Sequence, residues 1–343
     1  MSEFVNLDEI RAAKERIGGV AVRTPLYRLE RARLQLAKLP EPEFDVYIKA
    51  ESEQPIGSFK LRGAYNMVSQ LSPEARSKGV ITYSSGNHAQ GVAYAARALG
   101  TKAVIVMPSN APEVKKAATR ALGAEIVEVG PASSERRIRA EELVAEFGYA
   151  MIPPYDAPEI VAGQGTCGLE IVEQLPDVDL IISPVSGGGL LSGTATAVKL
   201  AAQEGLASKE VKVWGAEPEL AADACESFYS KTLVEWPAEK TTRTIGDGLR
   251  TQSLGVLNFA HILRHVDGIV TVTEEEILAS LRVILTATKL VAEPSGAVTL
   301  AAALFHAHEL PKARKVAVIL SGGNLEPALR ERLEREMAET AAV

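Results

Sequence analysis

The sequence predicts an α/β protein built on parallel sheets, and three observations carry that prediction. Short, β-branched apolar runs alternate with stretches of helical periodicity, which is the pattern of βαβ units. Three of those runs end in serine and glycine at the start of a helix, in "ITYSSGNHAQG", "IISPVSGGGLLSG" and "VAVILSGGNLEP". The length, 343 residues of which 46 % are apolar, exceeds what one core usually organises and predicts two domains.

Taken in order, "MSEFVNLDEIRAAKERIGG" is charged and reads as an amphipathic helix. "GVITYSS" is a strand leading to a helix over 87–99, and "KAVIVMP" a strand leading to a helix over 112–122. "AEIVEV" precedes a helix over 133–147, and "LIISPVS" one over 190–204. "KVWGAE" and "GIVTVT" are further strands, a helix covers 274–290, and another begins at Ser295. "KVAVILS" is the last strand, before a helix from Glu326. No Pro/Gly/Ser linker marks a boundary, so topology sets the division: residues 79–155 form a small domain inserted into a large one made of 1–78 and 156–343. There is no low-complexity segment and no repeat of solenoid length.

Composition narrows the function. Two cysteines, Cys167 and Cys225, are too few for a disulfide framework or a thiolate metal cluster, which fits a reducing compartment. No apolar run approaches the roughly 20 residues of a membrane span, so a cytosolic protein without membrane partners is expected. The net charge of −7 is spread along the chain, without basic tracts interleaved with aromatics, which argues against nucleic acid. Small molecules are the expected partners.

In open α/β sheets ligands collect at the carboxyl ends of strands, where helix N-termini aim N–H groups into one crevice. "SGGGLLSG" (186–193) offers such groups unobstructed by Cβ atoms and suits a phosphate, although a close-packed strand-to-helix turn has the same look. A dinucleotide site would use Glu217 on the ribose, but the third glycine position holds Ser192, and no P-loop Gly-Lys-Ser/Thr follows. In "SSGNHAQG", Ser84 or Ser85 is the predicted helix N-cap. Asn87 stands in the first turn beside free N–H groups suited to a carboxylate, and His88 reads most simply as a structural histidine. "SGGN" (321–324) is compatible with a cap and a turn. Lys60, in "EQPIGSFKLRGAYN", follows a Pro55-Ile56-Gly57 turn in an apolar, small-residue neighbourhood. Either it snorkels to water or its amine is used.

Together "PIGSFKLRGA", "SSGNHAQGVAYAA", "IVAGQGTCGLE", "PVSGGGL", "EPSGAV" and "LSGGN" resemble the serine/threonine dehydratase and serine racemase family, in order from about residue 7 to 330. These are pyridoxal-phosphate enzymes of the tryptophan-synthase-β fold class, fold type II. Cysteine synthases share that fold but resemble a Ser-Val-Lys-Asp pattern instead. The resemblance implies two open, twisted, mostly parallel sheets flanked by helices. It implies that Lys60 holds the cofactor as a Schiff base and later acts as a base. Phe59 would pack on one face of the ring, and Ser186, Gly187, Gly188, Gly189 and Leu190 would hold the phosphate through their N–H groups. Asn87 would meet the phenolic oxygen and Ser321 the ring nitrogen. A neutral hydroxyl at that nitrogen makes a weak electron sink, which favours prompt loss of a β-hydroxyl.

By the same resemblance, the substrate carboxylate docks at Ser84, Ser85, Asn87 and His88 while Lys60 takes the Cα proton. L-Serine then gives pyruvate, and L-threonine 2-oxobutanoate, each with ammonia. Ser85 stands where serine racemases carry a second acid/base on the opposite face, so racemisation is an alternative activity. Tyr155 resembles the dehydratases. Arg136 matches a racemase arginine near the substrate side chain and keeps 3-hydroxyaspartate open as a substrate, against a simple solvated helix face. "GAEPELAADACESF" resembles the family's divalent cation site, with carboxylates from Glu217 and Asp223 and the Ala221 carbonyl around Mg²⁺, Ca²⁺ or Mn²⁺; an exposed acidic helix start is the plainer alternative. No C-terminal effector domain follows the last helix, so feedback by isoleucine is not expected. A homodimer or homotetramer is. Two other classes compete: a nicotinamide-dependent dehydrogenase using the Gly187 loop and Glu217, and a non-catalytic pyridoxal-phosphate carrier.

Overall fold

Ten strands sort into two sheets in the computed structural model, which describes residues 4–36, 39–84, 86–111, 113–130, 133–208 and 210–341. The larger runs β1 (Leu26–Arg28), β2 (Asp45–Ala50), β10 (Lys315–Leu320), β7 (Leu180–Pro184), β8 (Lys212–Pro218) and β9 (Gly268–Val272) from edge to edge. The smaller runs β5 (Glu125–Val129), β4 (Ala103–Pro108), β3 (Val80–Tyr83) and β6 (Ala150–Met151). Only β1 is antiparallel to its neighbour; the other pairs are parallel. The sequence thus forms the two mostly parallel sheets that its alternating pattern and its resemblance imply.

Side-chain alternation divides each sheet between two cores. In the larger sheet Ile181, Val213 and Ile319 face Leu191, Val198 and Ile171, whereas Leu180, Ile182, Val316 and Val318 face Leu281, Val298 and Leu300. Both faces are covered, which is why these strands read as continuous apolar runs. In the smaller sheet Val80, Ile105 and Met107 pack on Val92 and Ala96, while Ile81, Val104 and Val106 pack on Ala140 and Leu143. The Lys60–Ser69 helix, just before residue 79, lends Ala64 and Val68 to the first of these cores.

The Pro158–Gln174 helix is an addition to the helices that periodicity predicts. It threads between the Lys60–Ser69 and Gly189–Gln203 helices with every residue from Ile160 to Val172 buried. Glycine lets those backbones touch: a Cβ on Gly163 would lie 2.6 Å from Gly63 Cα, and one on Gly193 would lie 2.4 Å from Val161 O. β1, β2 and β6 are likewise additions to the predicted strands. Among the described residues, no helix is long and apolar enough to cross a membrane.

Beneath the start of the Lys60–Ser69 helix lies a dry ionic network. Arg62 gives Nε and Nη2 to Glu51 at 2.7 Å each, and Nη1 and Nη2 to Glu170 at 2.8 Å each. Lys49 Nζ donates to Glu170 Oε2 at 2.6 Å, Thr24 O at 2.7 Å and Gln174 Oε1 at 3.0 Å. Burial alone would raise the Glu51 carboxyl, but the charge and hydrogen bonds of Arg62 overrule it and hold it at about 2.

Candidate active site

Lys60 is the first residue of its helix, preceded by Phe59 at φ −57°, ψ −20°. Its side chain is partly buried, and its amine donates to Pro154 O at 2.7 Å while lying 5.2 Å from the centre of the Phe59 ring. Burial brings its pKa down to about 8. The snorkelling alternative is therefore set aside: this amine is held inside and is partly unprotonated near neutrality. In the cofactor-free protein the buried ammonium costs stability below pH 8, and the cost is relieved between about 8 and 10.5 as the folded chain sheds its proton first. The rate at which Lys60 is captured by pyridoxal and fixed with borohydride should rise about tenfold per pH unit and level off near 8. A midpoint near 10.5, that of a solvated lysine, would contradict the enclosed position.

Two of the three strand-to-helix junctions lie beside this amine. After β10, Ser321 O accepts from Phe59 N at 3.0 Å, and Gly322 forms an isolated bridge with Ser58. Ser321 is 4 % exposed. Beside it, Asn87 donates Nδ2 to Glu293 Oε1 at 2.6 Å and accepts from Asn324 Nδ2 at 2.7 Å, and Asn324 Nδ2 also lies 2.9 Å from Ile56 O. Burial and the nearby Asp247 push the Glu293 carboxyl up to about 7, against Asn87 and Lys115. Lys115, from the helix after β4, pairs with Asp247 at 2.5 Å across this corner.

The N-cap of the Asn87–Ala98 helix is Gly86, with no side-chain capping bond, and not the predicted serine at 84 or 85. Ser84 Oγ instead accepts from Gly86 N at 3.4 Å, a turn contact one step before the helix. Ser85 lies outside the described residues. Without a side-chain cap, the first-turn N–H groups are left for another acceptor. His88 has its ring on Ile152 O at 2.9 Å, and burial, with Lys60 nearby, brings it down to about 3. It is neutral, as a structural histidine would be, and it adds only its backbone N–H to the helix start.

The third junction is the glycine loop. Gly188 has φ +93°, in the left-handed region, and caps the Gly189–Gln203 helix without a side-chain bond. Ser186 Oγ meets Thr251 Oγ1 at 2.9 Å, and Leu190 is buried. Tyr155 covers the loop so closely that a Cβ on Gly187 would lie 2.3 Å from its ring. Burial pushes the Tyr155 phenol up to about 12, so it stays neutral. Open N–H groups at an uncapped helix start, glycines that admit no side chain, and an enclosed amine next door fit a phosphate-bearing aldehyde.

Glu217 is the last residue but one of β8, and its carboxylate accepts from Cys225 N at 2.9 Å and Ala224 N at 3.4 Å. Asp223, 1 % exposed, has both carboxylate oxygens buried without a protein hydrogen-bond partner, and Ala221 is fully buried. The exposed acidic helix start is thereby excluded. Burial, with Asp223 beside it, holds Glu217 well above the usual carboxylate range, and burial brings Asp223 to about 7. Arg136 sits half-buried in the Ser133–Phe147 helix, where burial lowers its pKa, so it does not belong to a fully solvated face.

Sequence reasoning missed the groups that hold these residues in place. Glu293 and Asn324 lie within "EPSGAV" and "LSGGN" but carry no local sign of a role, and Pro154 stands one residue before Tyr155. Asn258 belongs to no motif.

L-threo-3-hydroxyaspartate ammonia-lyase of Saccharomyces cerevisiae is 43 % identical over 82 % of this chain and 83 % of its own length. Serine racemase of Schizosaccharomyces pombe is 38 % identical over 93 % of this chain and 94 % of its own. The solved structure of maize serine racemase matches with a TM-score of 0.87 at 33 % identity, covering 99 % of this chain and 99 % of that one. Residues 19–322 match the family described as "Pyridoxal-phosphate dependent enzyme", and the enclosed Lys60, the uncapped glycine loop and that match together make this chain a member of it.

Proposed function

We propose that the enzyme is an ammonia-lyase for small L-hydroxyamino acids, releasing a 2-oxo acid and ammonia. The observation that carries this reading is the Lys60 amine, held on Pro154 O with a pKa near 8 between the three junctions. When bound, pyridoxal phosphate supplies an electron-withdrawing ring that acidifies the substrate Cα–H. Lys60 anchors it and then accepts that proton at Nζ. The first-turn N–H groups of Asn87 and His88 hold the substrate carboxylate, with Ser84 alongside. Glu293 and Asn324 hold the Asn87 amide, which would meet the phenolic oxygen of the ring. Phe59 would flank the ring, Ser321 would serve its nitrogen, and the N–H groups of Ser186 to Leu190 would hold the phosphate. Tyr155 closes the loop from above and keeps water out.

The similarity to the yeast hydroxyaspartate enzyme and the half-buried Arg136 favour L-threo-3-hydroxyaspartate as a further substrate. Racemisation would call on Ser85. Release of 2-oxo acid and ammonia from L-serine, L-threonine and L-threo-3-hydroxyaspartate tests the reading. Turnover of at least one is expected; a yellow, folded protein inert toward all three would contradict it and favour the carrier.

The paired carboxylates support a divalent cation, Mg²⁺, Ca²⁺ or Mn²⁺, bound by Glu217, Asp223 and the Ala221 carbonyl, with water completing the shell. No group of three or more His, Cys, Asp or Glu side chains suited to a metal occurs among the described residues, so oxygen from backbone and water is needed. EDTA should lower the melting temperature by several degrees and Mg²⁺ or Ca²⁺ restore it, as expected for a ligand of the folded state alone. Glu217→Gln should lose that response. A variant that still responds like the parent would remove the site. The assembly proposed is a homodimer or homotetramer, and the compartment the cytosol, which keeps free thiols such as Cys167 and Cys225 reduced.

A further inference from the structure

The Asn258 side chain, fully buried in the Val256–His265 helix, makes contact with three parts of the glycine-loop corner. Nδ2 donates to Gly187 O at 2.8 Å and to Tyr155 O at 3.2 Å, and Oδ1 lies 2.9 Å from Ser192 Oγ. Both carbonyls can only accept, so chemistry fixes which end of the amide faces them. Ser192 Oγ also lies 3.2 Å from Gly189 O; with one proton to give, it favours the shorter contact. The helix itself is fastened to the same corner. Asp156 takes Val256 N at 3.1 Å, Leu257 N at 3.0 Å and Asn258 N at 3.3 Å, and Gly255 N donates to Gly187 O at 3.0 Å.

The consequence follows from the peptide bond. A trans peptide is planar, with its C=O and N–H pointing in opposite directions. Pinning Gly187 O onto Asn258 and Gly255 therefore turns the N–H of Gly188 the other way, out of the protein wall. Gly188, at φ +93°, has no side chain to stabilise that turn, and a Cβ there would lie 2.9 Å from Asn258 Cβ. The geometry points to Asn258 as a positioning residue for the cofactor phosphate: it sets the Gly187–Gly188 peptide plane and, through Tyr155 O, couples it to the segment whose Pro154 carbonyl holds Lys60. It acts through the loop and touches no reacting atom.

This inference rests on the phosphate lying at the glycine loop, and one titration separates the two claims. Holoenzyme stripped of cofactor is titrated with pyridoxal phosphate and with pyridoxal, which lacks the phosphate but still reaches Lys60. The parent should bind the phosphate form far more tightly; equal affinities would overturn the loop assignment itself. Asn258→Ala should weaken pyridoxal phosphate binding at least about tenfold, or about 1.4 kcal/mol, and change pyridoxal binding less than about threefold. Equal losses for both compounds, or no loss for either, would overturn the role of Asn258 alone. Should Asn258→Ala fail to fold, Ser192→Ala decides the question instead. It removes the donor to Oδ1 and should cut the preference for pyridoxal phosphate by about threefold or more, whereas an unchanged preference rejects the proposal.

Discussion

Lys60→Ala is expected to abolish ammonia release, lowering it by about a thousandfold or more, the scale at which a positioned acid/base alone acts. Two functions leave together. In the proposed mechanism the amine that meets Pro154 O is the covalent anchor of the cofactor, and its low pKa suits it as a proton acceptor near neutrality. Lys60→Arg should be no better, because a guanidinium does not deprotonate at working pH and is no nucleophile. Circular dichroism should change little in either variant, since Lys60 makes no ion pair within the fold among the described residues, and below pH 8 Lys60→Ala should melt no lower than the cofactor-free parent, because the buried ammonium is gone. Ammonia release above about one per cent of the parent in Lys60→Ala would reject the assignment.

The second large effect is on stability. Arg62→Leu should destabilise the protein by about 3–5 kcal/mol, because it leaves Glu51 and Glu170 buried against Lys49 alone. Set against a total of about 5–15 kcal/mol, that is enough to shift the urea midpoint far downward. Arg62→Lys should lie between, since an ammonium cannot reproduce two bidentate pairings. The same network predicts an acid limit. Glu51 has a folded pKa of about 2 against 4.5 unperturbed, so its contribution is complete above 4.5 and is lost as pH falls through 2. Because Arg62 is the third residue of the helix that begins with Lys60, loosening it should also raise KM or lower cofactor affinity. A loss below about 1 kcal/mol, the scale of a surface pair, would contradict the buried network.

How legible all this was depended on how local the physics is. β3 and β4, and the strands starting at Leu180, Lys212, Gly268 and Lys315, stood out because sheets covered on both faces need continuous apolar, β-branched runs, whereas the edge strand β5 stood out only by Ile126, Val127 and Val129. β2 was hidden by Lys49, whose partner Glu170 is remote in sequence, and β6 is too short to carry a pattern. The Pro158–Gln174 helix contains "IVAGQGTCGLE", which does not read as a helix because its glycines oppose helix formation. Their reason is tertiary: they let Gly63 and Gly193 approach. Ser84 and Ser85 matched the usual capping residues, yet Gly86 takes the cap, which leaves the first-turn N–H groups to a ligand.

The site followed the same division. Lys60, Asn87, Ser321 and the loop from Ser186 to Leu190 could be proposed from the sequence because each sits in a compact motif. The residues that fix their orientation come from elsewhere in the chain: Glu293 and Asn324 hold Asn87, and Asn258 holds Gly187. Nothing local marks such partners. Arg136, read most simply as a solvated residue, is half-buried because its helix packs against β3 and β4, which its neighbours in sequence could not reveal.

The most direct test of the central claim is to reduce the yellow holoenzyme with borohydride, digest it, and locate the cofactor by peptide mass spectrometry. The label should sit on Lys60 and on no other lysine. A label on Lys49 or Lys115, or no covalent label in a protein that still releases ammonia, would contradict it.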